Sequence, residues 1–350
     1  MPNEYFRIAC PLKNNCITVY IPGLWALLRH ANKEILAMPS LQRLLKRSDN
    51  HAKSTLESEA LLLNRLGWQG KKEDDVPVAA LERLAANSSS DGYWFRADPV
   101  NLQEDQNYLM MSYPSVLNLD LDESKALTDS INQHFAEDGW HIEVLDNDRW
   151  YLKLDKNPDI TTTPAWRVVG RDVFNLMPAG KNSTQWHSWL MELQMLLFSH
   201  PVNEKRTEQG LAAVNGLWLW GGGNLPELSN RHQFCLRGDS LFIQGLARQC
   251  GCELKDLPDD MSNIYNDFTS NREQLIMLEH ARTALQSGNM DQGMEALKKL
   301  ENSVFRPLLD LLKSKKLHSM SIVDSPGNVV NISASGINKW WRRRNFDLNV

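Results

Sequence analysis

Short apolar runs alternate with amphipathic segments along much of the chain, and this alternation predicts strands and helices in turn. Ile17–Ile21 is a β-branched run closed by Pro22 and Gly23, which indicates a buried strand feeding a loop. Elsewhere the apolar positions recur at helical spacing or form further short runs. We predict helices at Leu24–Leu36, Leu41–Lys46, Glu57–Leu66, Ser240–Cys250, Glu273–Leu285 and Asp291–Leu312, and strands at Leu217–Trp220 and Ser319–Val323.

A segment of different texture follows the serine-rich linker Ala86–Gly92. Its pattern predicts strands at Tyr93–Ala97 and Tyr108–Ser112, a helix capped by Asp122, and a hairpin of His141–Leu145 with Trp150–Leu154. We therefore expect an inserted α+β cap at residues 93–155. The core at residues 1–92 and 156–350 should be α/β, with a mainly parallel sheet flanked by helices.

Composition supports a globular chain of about two domains, because 42% of the 350 residues are apolar and 23% are charged. Thirty-eight basic and 43 acidic residues leave a net charge of −5, which argues against general nucleic-acid binding. No stretch approaches the roughly 20 apolar residues of a membrane span. We expect a soluble, cytoplasmic protein, with the charge run Lys71–Asp75 in solvent.

The five cysteines fit neither a disulfide framework nor a zinc pattern, so we expect reduced thiols, mostly buried. The C-terminal segment Trp340–Arg344 combines two tryptophans with three arginines. It either binds a phosphate-rich ligand, nucleic acid or a partner protein, or packs its tryptophans on the core with the arginines solvated.

Three further features are candidates for chemistry, each with a structural alternative. In Trp218–Gly223 the glycines would let backbone N–H groups approach an anion, or they form a tight turn after the strand. His200–Asn203 follows a helical stripe, where Pro201 would end the helix and His200 would stabilise its C-terminal dipole. Arg96 and Asp98 form either part of a site or a surface ion pair.

The segment Thr161–Leu228 resembles the archaeal-type cofactor-independent phosphoglycerate mutases. That family carries a helix ending in His-Pro-Val-Asn, then an arginine, then a strand of the form Trp-x-Trp-Gly-x-Gly. The likeness is closer still to a bacterial branch labelled regulatory protein or phosphoglycerate mutase. It extends weakly to Met38–Leu44, Phe95–Asp98 and Cys235–Gly251.

The resemblance implies an alkaline-phosphatase-like sheet with an inserted cap, and it implies a set of ligand-binding residues. These residues are Arg96, Asp98, His200, Asn203, Arg206, Trp220, Gly221, Gly222 and Gly223. The family's enzymes use two manganese-type ions to activate a serine that accepts a phosphoryl group. Ser58, followed by Glu59 and then by Leu66-Gly67-Trp68, has the spacing of the family's serine motif, and its alternative is a serine on a helix surface.

The family's metal ligands are missing from three motifs. Tyr20–Trp25 has no carboxylate, Pro164–Arg167 replaces a Pro-His-Asp motif, and Val323–Gly327 keeps Asp324 but lacks the histidine. Asp239 and Asp324 remain as isolated metal candidates, too few to hold two ions. We therefore expect no cofactor, or manganese if the chain is an active mutase.

These observations favour a non-catalytic, phosphoglycerate-mutase-like protein, a pseudoenzyme with a regulatory role in a retained phosphate-sized crevice. Its partner would be a phosphorylated small molecule or a protein. One alternative is an active metal-dependent mutase or phosphatase that uses Ser58. The other is a protein-interaction module that has kept only the fold.

Overall fold

The computed structural model describes residues 15–30, 38–71, 74–105, 108–112, 114–168, 171–229, 233–268, 272–287, 289–324 and 326–339. The chain divides into two compact units, and each is described by itself. The first unit comprises Met1–Gln69 and Leu228–Val350, and the second comprises Gly70–Glu227. The segment Trp340–Arg344 lies outside the described residues.

The regular elements are numbered in chain order. The strands are β1 Cys16–Tyr20, β2 Asn50–Ser54, β3 Tyr93–Asp105, β4 Tyr108–Ser112, β5 His141–Asp146, β6 Arg149–Leu154, β7 Ile160–Thr161, β8 Ala179–Gly180, β9 Gly216–Gly223, β10 Phe234–Arg237, β11 Glu253–Lys255, β12 Glu273–Met277, β13 Ser319–Val323 and β14 Gly327–Ser333. The helices are α1 Leu24–His30, α2 Pro39–Lys46, α3 Ser58–Arg65, α4 Val78–Ala85, α5 Pro114–Leu117, α6 Leu121–His134, α7 Ser183–Phe198, α8 Pro201–Glu208, α9 Leu241–Cys250, α10 His280–Ser287, α11 Met290–Leu300, α12 Arg306–Lys313 and α13 Ala334–Ile337. Short 3-10 turns cover Ala165–Arg167, Val173–Leu176 and Met261–Asp267, and Glu301–Phe305 joins α11 to α12 as a π-helical turn.

The first unit is built on a seven-stranded sheet in the order β11-β10-β12-β1-β13-β14-β2. The strands from β11 to β13 are parallel, and β14 is antiparallel to both of its neighbours. β1 and β12 are buried along their whole length, as expected for parallel strands covered on both faces. The predicted α/β fold with a mainly parallel sheet flanked by helices is confirmed.

One predicted helix of this unit is wrong at its start. Glu273–Leu285 begins as the buried strand β12, and the helix α10 starts only at His280. A short apolar run buried on both faces has no period of its own, so its pattern does not separate a strand from a helix. The predictions for β1, β13 and α9 are confirmed to within one residue, and Gly251 ends α9 in the left-handed conformation.

The second unit contains an antiparallel sheet in the order β4-β3-β6-β5, with β9 also paired to β3. The hairpin of β5 and β6 is present as predicted. The helix α6 is capped by Asp120 and not by Asp122, because Asp120 and Glu123 form a reciprocal capping box. Aromatic rings fill the core of this unit, where Trp140 stacks on Phe135 at 4.6 Å and on Trp186 at 5.4 Å.

The boundaries of the second unit differ from the predicted cap at residues 93–155. The unit runs from Gly70 to Glu227, because β9 pairs with β3 and α4 packs on both strands. The strand that carries the glycine run therefore belongs to the antiparallel sheet. The predicted core at residues 156–350 includes this strand, because the residues of a strand do not by themselves reveal which strands it pairs with.

Two of the cysteines differ from the expectation of reduced thiols. Cys250 and Cys252 form a disulfide across Gly251, with their Cα atoms 5.3 Å apart. The left-handed Gly251 turns the chain back between them. Cys16 and Cys235 are buried free thiols, as expected. None of the helices in the described part of the chain has both the length and the apolar character needed to cross a bilayer.

Candidate functional site

A cavity of about 500 Å³ lies in the first unit, at the carboxyl edge of the parallel strands. After β10 the chain moves to the edge strand β11, whereas after β12 it moves the opposite way, to β13. Such a change of direction opens a crevice between the two loops, which is the usual ligand position in an open parallel sheet. These loops line the cavity with Asp239, Ser240, Glu279 and His280.

The side chains of the cavity are charged or polar. Lys299 Nζ donates to His280 Nε2 over 3.2 Å. Burial lowers the pKa of His280, Lys299 lowers it further and Asp239 opposes both, so the ring is neutral at neutral pH. The Ser240 hydroxyl oxygen is buried, and no hydrogen-bond partner for it exists among the residues described.

Ser58, the candidate nucleophile, is the first residue of α3 and is fully buried, so it is not on a helix surface. Its hydroxyl oxygen has no hydrogen-bond partner within the described part of the chain. The next residue, Glu59, forms an ion pair with Arg282 at 2.5 Å. A serine becomes a strong nucleophile when a base or a metal takes its proton. Here the neighbouring carboxylate is held by a guanidinium.

Asp324, a metal candidate, serves as the cap of a helix. Its Oδ1 accepts from the Gly23 backbone N–H at 2.7 Å, and its Oδ2 accepts from the Trp25 N–H at 2.7 Å. The side chain is 2% exposed, and both oxygens satisfy N–H groups at the start of α1. Asp324 thus has a structural role that needs no ion.

The residues present do not fit a pair of manganese ions. Two ions require several carboxylate or imidazole ligands that converge. Within residues 15–339, gaps aside, no three such side chains or thiols come close enough to hold one ion. Both oxygens of Asp324 are already engaged by backbone N–H groups, and Asp239 is exposed at the cavity.

In the second unit, Arg96, Asp98 and Trp220 lie together in a closed network of hydrogen bonds. Arg96 donates to Asp98 and, at 2.8 Å, to Glu82, while Trp220 Nε1 donates to the other oxygen of Asp98 at 2.7 Å. Tyr151 donates to Glu82 at 2.8 Å. The pair of Arg96 and Asp98 is buried and is not a surface ion pair. Burial raises the pKa of Asp98, and Arg96 opposes that rise.

The glycine run is part of β9 and is tightly packed. A Cβ at Gly222 would lie 2.3 Å from a ring carbon of Phe95, and Gly221 has a φ of +68°, which favours glycine. The Gly222 N–H donates to the carboxylate of Asp75 at 3.3 Å, so this donor has a partner within the protein. Thr162 donates to the same carboxylate through its N–H, at 2.8 Å, and through its hydroxyl.

The free energy of unfolding should depend on pH through the carboxyl group of Asp75. Burial raises its pKa to about 6, and the hydrogen bonds from Thr162 and Gly222 only partly oppose this. Because the folded-state pKa is raised, the associated stability is fully present below about pH 4 and is lost as the pH rises through about 6. We expect the free energy of unfolding of Asp75→Asn, relative to the natural chain, to rise by about 1–3 kcal/mol between those limits. Urea titrations across this range measure the difference, and a constant difference would contradict the burial of a charged Asp75.

His200 does not stabilise the end of α7, because it caps the start of α8. Its Nδ1 accepts from the Val202 N–H at 3.2 Å, so Nε2 carries the proton of the neutral ring and donates to the Ser130 hydroxyl at 3.0 Å. Burial lowers the pKa of His200, which agrees with a neutral ring. Pro201 occupies the first turn of α8, where its missing N–H costs nothing.

Asn203 and Arg206 connect α8 to the chain that leads into β9. Asn203 exchanges two hydrogen bonds with the backbone of Val214, at 2.7 and 2.8 Å. Arg206 is fully buried, donates to the Ala212 carbonyl at 2.9 Å and pairs with Glu123 at 2.7 Å. The His-Pro-Val-Asn motif and its arginine therefore have a complete structural explanation.

The predicted site residues thus fall into two groups. Ser58, Asp239 and Asp324 belong to the first unit, and the other candidates belong to the second. Sequence reasoning missed the cavity residues His280, Glu295 and Lys299, which come from α10 and α11 and carry no motif. It also missed Asp75, whose position in a charge run indicated solvent. Among the charged residues that line the cavity, only Asp239 could be recognised from the sequence, because it follows a strand and precedes a helix.

The fold and cavity define the protein as a mixed α/β chain with a polar crevice at the carboxyl edge of a mainly parallel sheet. A solved structure of a Pyrococcus horikoshii protein shares this fold, with a TM-score of 0.51 and 12% identity over 92% of this chain and 88% of that one. No family model matches the chain.

By sequence the chain is similar to cofactor-independent phosphoglycerate mutases. It is 25% identical over 167 residues to the 2,3-bisphosphoglycerate-independent phosphoglycerate mutase of Methanothrix thermoacetophila. The matched region covers 43% of this chain and 43% of that protein. It is 26% identical over 160 residues to a probable enzyme of that name from Geobacter sulfurreducens, covering 45% and 40%. The matched part spans less than half the length of these curated relatives.

Proposed function

We propose that this chain is a non-catalytic relative of the cofactor-independent phosphoglycerate mutases with a regulatory role. The main support is the ion pair with Arg282 that holds the carboxylate of Glu59, the residue that follows Ser58 in the sequence. A two-metal displacement needs cations that are free to bridge the attacking and leaving oxygens. A guanidinium already bound to two carboxylates stabilises the fold but does not bind a transferring phosphoryl group in that way.

The capping role of Asp324 supports the same proposal. In the resemblance, the strand that precedes Asp324 ends in metal ligands, whereas here both oxygens of that residue bind backbone N–H groups. Recruiting Asp324 to a metal would leave the start of α1 without those partners. A buried N–H group without a partner costs about 1–3 kcal/mol, so metal binding there would compete with folding.

A turnover assay tests the proposal. Purified protein with manganese and 3-phosphoglycerate should form no more product than the Ser58→Ala variant. That variant is a fair control, because the Ser58 hydroxyl has no partner within the described residues and its removal should barely change stability. Turnover that is present in the natural chain and lost in Ser58→Ala would establish the alternative, an active mutase or phosphatase.

The regulatory ligand implied by the resemblance is a phosphorylated small molecule. A ligand that binds the folded state raises the melting temperature. Millimolar 3-phosphoglycerate should therefore raise the melting temperature of the natural chain and of Ser58→Ala equally if it binds without reacting. No shift in either protein would remove phosphoglycerate from the proposal and leave regulation to another ligand.

A protein-interaction role has a specific observation in its favour. Met191, Met195 and Phe198 are 66%, 69% and 85% exposed along one face of α7. Their spacing of four and three residues places them in a single row on the helix. Exposed apolar rows of this kind often mark contact surfaces. Analytical ultracentrifugation of Phe198→Glu and of the natural chain distinguishes self-association through this row from a monomer.

A further inference from the structure

The disulfide of Cys250 and Cys252 lies in the first unit, where the end of α9 leads into the edge strand β11. The cross-link encloses only Gly251. A disulfide stabilises a fold mainly by restricting the unfolded chain, and this contribution is smallest for short loops. A bond at this spacing is therefore suited to reversible chemistry more than to holding the fold together.

The cap of α9, and not the bond, sets the positions of the two cysteines. The Gly251 N–H donates to the Arg248 carbonyl at 3.3 Å. The Cys252 N–H donates to the Ala247 carbonyl at 3.1 Å. These are the two hydrogen bonds of a Schellman motif, in which Gly251 adopts a left-handed φ of +62°. The motif holds the cysteine Cα atoms 5.3 Å apart, a distance that a disulfide spans, so the same turn accommodates the dithiol and the disulfide.

The two sulfurs differ in their access to solvent. Cys250 is fully buried, and its Sγ lies 3.6 Å from the Ala247 carbonyl oxygen, which can accept the S–H of the reduced form. Cys252 is only half-buried. A Cβ added to Gly251 would meet no atom within 4 Å, so the turn between the sulfurs is open on its outer side. An incoming thiolate therefore reaches Cys252 before Cys250.

The other two cysteines in the described ranges lack these features. Cys16 and Cys235 are buried and are not cross-linked. Burial also raises the pKa of Cys235, which disfavours the thiolate, the reactive form of the side chain. An exchange reaction with a thiol from solution should therefore be confined to the pair.

We propose that Cys250 and Cys252 form a thiol–disulfide exchange site for a low-molecular-weight thiol. The site goes beyond the proposed function and does not depend on it, because it involves neither Ser58 nor a phosphorylated ligand. Its chemistry is the reversible conversion of one protein disulfide into two protein thiols, with the small molecule as the reductant or, as its own disulfide, the oxidant.

The reaction proceeds through a mixed disulfide. A small thiolate attacks Cys252 Sγ, an S–S bond forms there, and the bond to Cys250 breaks. Cys250 leaves as a thiolate and takes up a proton. A second thiolate then attacks the small-molecule sulfur of the mixed disulfide, which frees Cys252 as a thiol and completes the small-molecule disulfide. Two small thiols are oxidised as one protein disulfide is reduced, so atoms and electrons balance.

Glutathione tests the proposal on the natural chain. The folded protein is equilibrated at increasing ratios of oxidised to reduced glutathione, quenched in acid, unfolded and alkylated, and its cysteine peptides are examined by mass spectrometry. We expect Cys250 and Cys252 to lose both alkylation sites in one reversible transition, while Cys16 and Cys235 stay alkylated. Thiols at 250 and 252 that persist in oxidised glutathione would overturn the proposal. A disulfide that excess reduced glutathione does not open in the folded chain would overturn it as well.

Single variants test which sulfur is attacked. With oxidised glutathione, Cys252 in Cys250→Ser should form a mixed disulfide at least about tenfold faster than Cys250 in Cys252→Ser, because access controls the reaction. Equal rates would contradict attack at Cys252. Cys16→Ser is the matched control, since the Ser319 hydroxyl already faces that side chain at 3.2 Å, and it should leave the transition unchanged. Circular dichroism of each variant verifies the fold.

Discussion

Replacing Arg96 with methionine should lower the free energy of unfolding of the second unit by about 3–5 kcal/mol, the usual cost of breaking a buried ion pair from one side. Arg96 is 8% exposed and binds both Glu82 and Asp98, which are 8% and 1% exposed. Without the guanidinium, two buried carboxylates lose their only cationic partner in the network. Desolvation would then raise the pKa of Asp98 further, because Arg96 is the group that opposes it.

Urea unfolding followed by tryptophan fluorescence measures this loss. Arg171→Met is the matched control, because Arg171 is exposed in the same unit and should cost less than about 0.5 kcal/mol. Adding Asp98→Asn to Arg96→Met should restore part of the stability, since the amide removes one of the two stranded charges. Equal stability of Arg96→Met and Arg171→Met would contradict the network.

Replacing Arg282 with methionine should destabilise the first unit by a similar amount, about 3–5 kcal/mol. The Glu59 carboxylate is 3% exposed and would lose its ion-pair partner. Substituting both residues, as Glu59→Met with Arg282→Met, should recover most of the loss, because apolar pairs often replace buried ion pairs at little cost.

The double-mutant cycle of Glu59 and Arg282 also tests the role of the pair. If the guanidinium takes the place of a bound cation, manganese should not raise the melting temperature of the natural chain. A double variant as unstable as Arg282→Met alone would show that the pair is not the source of the effect. Manganese that stabilises the natural chain would contradict this role of the guanidinium.

Much of the fold could be predicted from apolar patterning. The strands β1 and β13, the hairpin of β5 with β6, and the helix α9 all follow from runs or periods that lie within a few residues. The start of α10 could not be predicted, because Glu273–Met277 fits a buried strand and a helical turn equally well. The cap of α6 is Asp120 and not the predicted Asp122, because a sequence pattern locates the end of a helix only to within one or two residues.

The site was less accessible to sequence reasoning, because its contacts join distant segments. The glycine run gave no sign that Asp75, far away in the sequence, accepts a hydrogen bond from the Gly222 N–H. His200 and Arg206 belong to a motif of the resemblance, yet their partners Ser130 and Glu123 lie on α6, which no motif connects to them. Such partners are set by tertiary packing.

Covalent phosphorylation of Ser58 is the most direct measurement of the central claim, that the chain does not transfer phosphoryl groups. The protein would be incubated with manganese and 3-phosphoglycerate, quenched in acid and examined by intact-mass and peptide mass spectrometry. We predict no added phosphoryl group on the peptide that contains Ser58, in the natural chain as in Ser58→Ala. A phosphoryl group on Ser58 that disappears in Ser58→Ala would contradict it.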